Sequence, residues 1–270
     1  MGKTLKADDR VVKHFKSMWD KYITLNEEAP IIANLLGVKD PMIENDHIAL
    51  RSFSMGENSN SIGMLKTAEF YEQLGYNICG QYEFKEKKLS AIHLEHSGPY
   101  PLVFISELKV REFSTKFQKL FSSIGVGEDF DFSLGGRPWP ATYEIFCSLL
   151  KESEYGAWLY AWGFVPNHFT ISVNQLRDYE EISEVNESIK ERGFQLNQSG
   201  GEIKGTPSDY LEQSSTLAYE KNCPFSDGLH LIPSCYYEFA KRYPLPNGDM
   251  FTGFLTKSAD KIFESTDIQQ

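Results

Sequence analysis

Two six-residue strings in this chain parallel each other, and this faint internal repeat limits the folds open to it more than any bulk property does. "DHIALR" at 46–51 parallels "NHFTIS" at 167–172 position by position. The first string alternates as a strand does: His47, Ala49 and Arg51 fall on one face, Ile48 and Leu50 on the other. Each string is followed by a helical pattern that ends in glycine and an aromatic. "QLGY" places Gly75 28 residues after His47, and "ERGF" places Gly193 25 residues after His168. Behind the first helix, "YNICGQYEF", "KLSAIHLEH" and "PLVFISEL" read as three successive strands. A strand, a helix and then several strands, given twice, predicts a pair of βαβββ modules, an α+β fold.

The rest of the chain is arranged around that pair as one domain. Residues 1–40 are read as N-terminal helices: Val11, Val12, Phe15, Met18 and Trp19 recur at helical spacing, as do Ile31, Ile32 and Leu35. His14 is expected on the polar side, and Gly37 as the C-cap. The first module takes residues 41–110, with its helix over about 61–74, after the polar stretch "SMGENSNS". Residues 111–160 form a helical insertion: a helix at 111–122, the loop "GGRPWPATY" and a helix running towards 151. The second module takes residues 161–243, with a charged helix from Asp178 to Arg192 and a hairpin turn at "GGEIKG"; residues 244–270 are a C-terminal tail.

Charge and composition remove several function classes. With 270 residues and a net charge of −11, the chain is a poor nucleic-acid binder and a poor partner for an anionic membrane. Its longest apolar run, "AWLYAWGFV" at 157–165, is too short to span a bilayer. The opening "MGKTLKADDR" has no apolar core of a secretory signal, and Lys6 stands where a myristoylation signal needs Ser or Thr. Cys79, Cys147, Cys223 and Cys235 form no C-x-x-C pair, as expected of reduced thiols in a cytoplasmic protein. The oligomeric state is left open.

Two modules related by pseudo-symmetry bring His47 and His168 to equivalent places on their first strands. Two imidazoles and one carboxylate, with the remaining positions open, make the facial triad of a non-haem Fe(II) site. The carboxylate is Glu107 in "VFISEL" or Glu238 in "CYYEFAKRY". Glu238 is the stronger candidate, because a lone carboxylate in an aromatic-dense strand is costly unless paired or metal-bound. A salt bridge to Arg242 is the competing explanation, and for Glu107 an exposed strand end. His93 shares a face with Glu95, which leaves a route for it to join the ligands, whereas His96 faces away; His230 is expected to be structural or superficial. H-E-x-x-H, G-x-S-x-G and P-loop patterns are absent. Arg51, on the same face as His47, suits an anionic ligand, since a guanidinium offers a planar fork to a carboxylate.

Taken together, "NDHIALRSF", "KLSAIHLEH…YPLVFISEL", "NHFTISV", "GTPSDYLEQSSTLA" and "YYEFAKRY" resemble the DUF1338 family, from about residue 40 to residue 245. That family includes 2-oxoadipate dioxygenase/decarboxylases, the hydroxyglutarate synthases of lysine catabolism, and is similar to the vicinal-oxygen-chelate enzymes. The resemblance implies a curved mixed sheet around a central Fe(II) held by His47, His168 and Glu238. It implies that Arg51 holds a substrate carboxylate, and that Gln213 to Ser215 lie near the substrate. The implied substrates are a small anionic 2-oxo acid, most simply 2-oxoadipate, and O2. Two other readings stay open: a metal-dependent isomerase or lyase on the same scaffold that uses no O2, and a non-catalytic small-ligand-binding protein.

Overall fold

A computed structural model describes residues 9–55, 63–122, 124 and 135–256. The readings of residues 1–8, of most of "SMGENSNS" and of the tail beyond residue 256 fall outside these described residues.

Two helices open the described chain: α1 (Asp9–Leu25) and α2 (Ala29–Leu35). The stripe Val11, Phe15, Met18, Trp19 and Tyr22 buries α1 against the sheet. The break between the two helices falls at residues 26–28. At Asn26 the side-chain Oδ1 accepts the backbone N–H of Glu28, and α2 restarts with Pro30 in its first turn. His14 also departs from expectation: it is buried, with Nε2 2.9 Å from the Tyr71 hydroxyl. That hydroxyl lets an imidazole sit on a packed face without an unpaired polar atom.

The first module follows as β1 (Asn45–Ser54), α3 (Met64–Gln73), β2 (Tyr76–Phe84), β3 (Leu89–His96) and β4 (Leu102–Lys109). Between α3 and β2 the chain reverses at Gly75, whose φ of +93° favours glycine. Among its described residues the insertion holds three helices: α4 (Thr115–Ser122), α5 (Tyr143–Leu150) and α6 (Glu154–Trp162). The helix expected from residue 111 begins only at Thr115, after a 3-10 turn at Val110–Glu112. The helix α6 lies in the apolar run that sequence reading treated only as too short for a membrane. Its residues Tyr155 to Trp162 are all buried, so no amphipathic period marks it. Ser153 caps its start, accepting the N–H of Gly156 at 3.0 Å.

The second module runs β5 (Pro166–Ser172), α7 (Ile182–Glu191), β6 (Lys204–Thr206), β7 (Leu211–Ser215), β8 (Glu220–Phe225), β9 (Gly228–Pro233) and β10 (Tyr236–Arg242). The helix α7 starts four residues later than its charge pattern suggests, at a capping box between Glu181 and Glu184.

Eight strands form one mixed sheet in the order β2-β3-β4-β1-β5-β10-β7-β6, with β8 and β9 apart as a hairpin. The two halves mirror each other about a central antiparallel pair, β1 and β5. In each half the first strand runs parallel to the module's last strand, β1 with β4 and β5 with β10. This is the doubled βαβββ arrangement that the repeated strings predict, and the sheet curls into a half-barrel. Its register lines up chemistry across strands. His47 pairs with Thr170, Thr170 with Glu238, and Glu238 with Ser215; beside them Ala49 pairs with His168 and His168 with Tyr236. Paired residues share a face, so both histidines and Glu238 are delivered to one side of the sheet. All four cysteines are free, and no helix among the described residues is long and apolar enough to cross a membrane.

Candidate metal centre

On that face His47, His168 and Glu238 converge, each buried, with one ligand atom apiece lying within 4.8 Å of the others. The Nε2 atoms of the two histidines are 3.4 Å apart. Glu238 presents Oε1 to His47 Nε2 and Oε2 to His168 Nε2, both at 3.5 Å. Ligand atoms about 2.0–2.2 Å from a shared cation stand about 3.0–3.6 Å from each other.

The outer hydrogen bonds fix which atoms face inward. Asp46 Oδ1 accepts from His47 Nδ1 at 2.7 Å, and Asn167 Oδ1 accepts from His168 Nδ1 at 3.2 Å. With their protons on Nδ1, both rings aim an Nε2 lone pair at the same point. Thr170 Oγ1 stands 3.2 Å from His47 Nε2. Gln213 Nε2 donates to Glu238 Oε1 at 2.5 Å, while Glu238 Oε2 has no hydrogen-bond partner among the described residues. Two facing lone pairs and an unpaired buried carboxylate oxygen form a donor set that a divalent cation satisfies and a dry core does not.

The electrostatics agree. Burial pushes Glu238 up to about 7, against the lowering pull of His47 and Gln213. Burial, reinforced by the neighbouring His47 and Arg51, drives His168 well below the ordinary imidazole range. Asp46 goes the other way: burial alone would raise it, but Arg242 and His47 outweigh burial and hold it well below the usual carboxylate range.

The competing explanations resolve by position. Arg242 does not pair with Glu238; it forks onto Asp46. Glu107 lies on the opposite face of β4 from Phe104 and Ser106, and is not an exposed strand end. Its Oε2 accepts the backbone N–H of Met64 at 2.7 Å, so it serves the N-terminus of α3. His93 is buried but bonds to Tyr82 and Glu95, with Nδ1 2.7 Å from the Tyr82 hydroxyl and Nε2 3.0 Å from Glu95 Oε1. His230 stacks on Tyr143 at 3.7 Å between ring centroids, away from the three convergent groups.

Arg51 is buried, its guanidinium carbon 4.6 Å from the Tyr155 ring centre and 4.7 Å from that of Trp158. Ser215 is buried beside Glu238 in register, and Gln213 is bonded to it directly.

Three contributors escaped sequence reading. Asp46, next to His47 in sequence, carries no local pattern that marks its hydrogen bond to the His47 ring. Tyr236 stacks on the His168 ring at 4.5 Å, and its hydroxyl has no hydrogen-bond partner among the described residues. Phe254 meets the His47 ring edge-on at 4.8 Å and Phe104 at 4.7 Å. Phe254 is fastened from both sides. Its N–H donates to the Tyr82 hydroxyl at 3.1 Å, and Arg242 Nη1 donates to the carbonyls of Phe251 and Gly253 at 3.1 and 2.8 Å.

Residues 136–252 match the model of the family described as HGLS, 2-oxoadipate dioxygenase/decarboxylase. The chain is 34% identical over 280 residues to the chloroplastic 2-oxoadipate dioxygenase/decarboxylase of Arabidopsis thaliana, covering 91% of this chain and 74% of that protein. Among solved structures, a candidate hydrolase of Shewanella frigidimarina superposes with a TM-score of 0.85 at 44% identity, covering 91% of this chain and 98% of that one. The Oryza sativa hydroxyglutarate synthase in complex with 2-oxoadipate gives a TM-score of 0.84 at 30% identity, covering 98% and 94%. A glyoxalase-superfamily protein of Ralstonia eutropha, 16% identical, shares the fold with a TM-score of 0.77 over 94% of this chain and 91% of its own. The chain belongs to the 2-oxoadipate dioxygenase/decarboxylase family of enzymes.

Proposed function

We propose that this protein is an Fe(II)-dependent dioxygenase that converts 2-oxoadipate and O2 to 2-hydroxyglutarate and CO2, a step of lysine catabolism. The observation that carries the reading is the convergence of two Nε2 lone pairs and an unpaired Glu238 oxygen on one buried point. His47, His168 and Glu238 hold the metal, and the remaining coordination sites stay open to substrate. When bound, Fe(II) supplies a Lewis acid for the 2-oxo acid and a redox centre for O2.

The chain's own residues do the rest. Asp46 and Asn167 keep both imidazoles in the tautomer that presents Nε2. Gln213 holds one oxygen of Glu238, leaving the other directed inward. Arg51 takes an anionic end of the substrate: it lies four residues along β1 from His47, about 13 Å of strand, with its fork pre-set between two aromatic faces. Phe254 and Phe104 exclude water beside His47. Gln213 and Ser215 line the β7 side.

The test is a product balance on Fe(II)-reconstituted protein, following O2 uptake, CO2 and 2-hydroxyglutarate together, with 2-oxoglutarate as the comparison acid. Equal amounts of all three from 2-oxoadipate support the reading. Ligand conversion without oxygen uptake favours the isomerase or lyase chemistry.

A further inference from the structure

Tyr236 and Tyr237 are neighbours on β10, both wholly buried, and neither hydroxyl has a hydrogen-bond partner among the described residues. Adjacent strand residues point to opposite faces, so the two hydroxyls meet different surroundings. Tyr237 packs among the rings of α1, 6.0 Å from Trp19 and 6.1 Å from Tyr22 between centroids. Tyr236 lies on the metal side. It pairs in register with His168, stacks on that ring at 4.5 Å with 28° between the planes, and precedes Glu238 by two positions on the same face. Burial pushes its hydroxyl up, Glu238 adds to the rise and Arg51 opposes it, so charges act on it from both ends of the site.

A buried hydroxyl without a partner costs about 1–3 kcal/mol. On the α1 side the core carries that cost among aromatic rings. On the metal side a second buried polar atom, Glu238 Oε2, is unpartnered on the same face of β10, and the two are not bonded to each other. A donor and an acceptor left apart in one buried site mark a space that a polar ligand fills. The metal accounts for the carboxylate oxygen. The hydroxyl is a donor, so it needs an acceptor that the protein does not supply.

We propose that Tyr236 is a substrate-binding residue whose hydroxyl donates to the 2-oxo oxygen of the bound acid, beside the His168 ring. This rests on the reading of the centre as the place where a 2-oxo acid meets the metal. The stack on His168 decides the end of the substrate: the ring lies against a metal ligand, whereas Arg51 takes the carboxylate remote from it. A hydrogen bond to the 2-oxo oxygen draws electrons from the carbonyl carbon and stabilises negative charge that develops on that oxygen. It recognises the 2-oxo acid group itself, whatever the far end of the molecule carries.

The experiment compares the Fe(II)-loaded full chain with its Tyr236→Phe and Tyr237→Phe variants under anaerobic conditions. A 2-oxo acid chelated to Fe(II) absorbs visible light by charge transfer from the metal into the carbonyl, and a donor on the 2-oxo oxygen lowers the transition energy. Tyr236→Phe therefore shifts the band of bound 2-oxoadipate to shorter wavelength and weakens binding about tenfold. Binding of 2-oxohexanoate, the same chain length without the remote carboxylate, weakens by the same factor. Tyr237→Phe changes neither band nor affinity. Tyr236→Met, which fills the space without a donor, carries the same test if the phenylalanine variant does not fold. An unshifted band, a loss confined to 2-oxoadipate, or the same shift in Tyr237→Phe overturns the proposal. A wild-type chain that shows no band overturns the reading of the centre itself, a result distinct from any difference between variants.

Discussion

The carboxylate of Asp46 receives Arg242 on both its oxygens while the same carboxylate takes the Nδ1 proton of His47. The His47 ring is therefore oriented by a pair far apart in sequence, from the start of β1 and the close of β10, two strands that both flank β5. Asp46→Asn keeps the shape and removes the charge. Fe(II) affinity falls about 10–100-fold, as for other outer-shell partners of metal-bound histidines, and stability falls by about 3 kcal/mol because Arg242 is left unpaired. Anaerobic Fe(II) titration and thermal melting read the two effects; unchanged affinity would show that Asp46 does not orient the ligand.

Metal removal exposes the cost of burying Glu238. Burial pushes its carboxyl up to about 7 in the folded chain, above the 4.5 of a free group. Between those values the folded chain keeps a proton that the unfolded chain has lost, so this contribution destabilises progressively as pH rises and is complete above 7. His168 works in the opposite sense. Its folded value lies below 6.5, so its contribution to stability grows as pH rises towards 6.5. The difference between Glu238→Gln and wild type isolates the glutamate. In the metal-free state, the variant gains about 2 kcal/mol on wild type between pH 5 and pH 8. Fe(II) reverses that order. A difference that does not vary with pH would contradict the placement of Glu238 as an unneutralised buried carboxylate.

Phe254 predicts how the site keeps water out. Phe254→Ala removes the ring against His47 and Phe104 without touching a proposed ligand. Stability drops by about 3 kcal/mol, iron is retained, and oxygen uptake exceeds CO2 release because water reaches the reacting centre. Uptake and release that remain equal would mean that the ring only packs.

What could be read beforehand followed from period and repetition. Alternation in "DHIALR" put His47 and Arg51 on one face, and its echo in "NHFTIS" supplied His168; the mirrored sheet then required these strands to meet. Glu238 was legible because a carboxylate among aromatics demands a partner. Asp46 and Arg242 were not, because 196 positions separate them and no local pattern marks the pairing. The helix α6 was hidden by being apolar on all sides, and with it went Glu154, Tyr155 and Trp158, which surround Arg51. Phe254 lies in a segment without regular structure, held by tertiary hydrogen bonds to Arg242 and Tyr82 and by ring contacts with His47 and Phe104. For Asp46, Arg242 and Phe254 the missing information was a contact between distant segments, which propensity and period do not encode.

The most direct measurement is Fe(II) stoichiometry under anaerobic conditions for the wild-type chain and for His47→Ala, His168→Ala and Glu238→Ala, followed by oxygen uptake on the same samples with 2-oxoadipate. The account predicts one tightly held iron per wild-type chain, with iron and uptake lost together in each variant. A variant that keeps both would contradict the three-residue centre, and a wild-type chain that binds no iron would contradict the account as a whole.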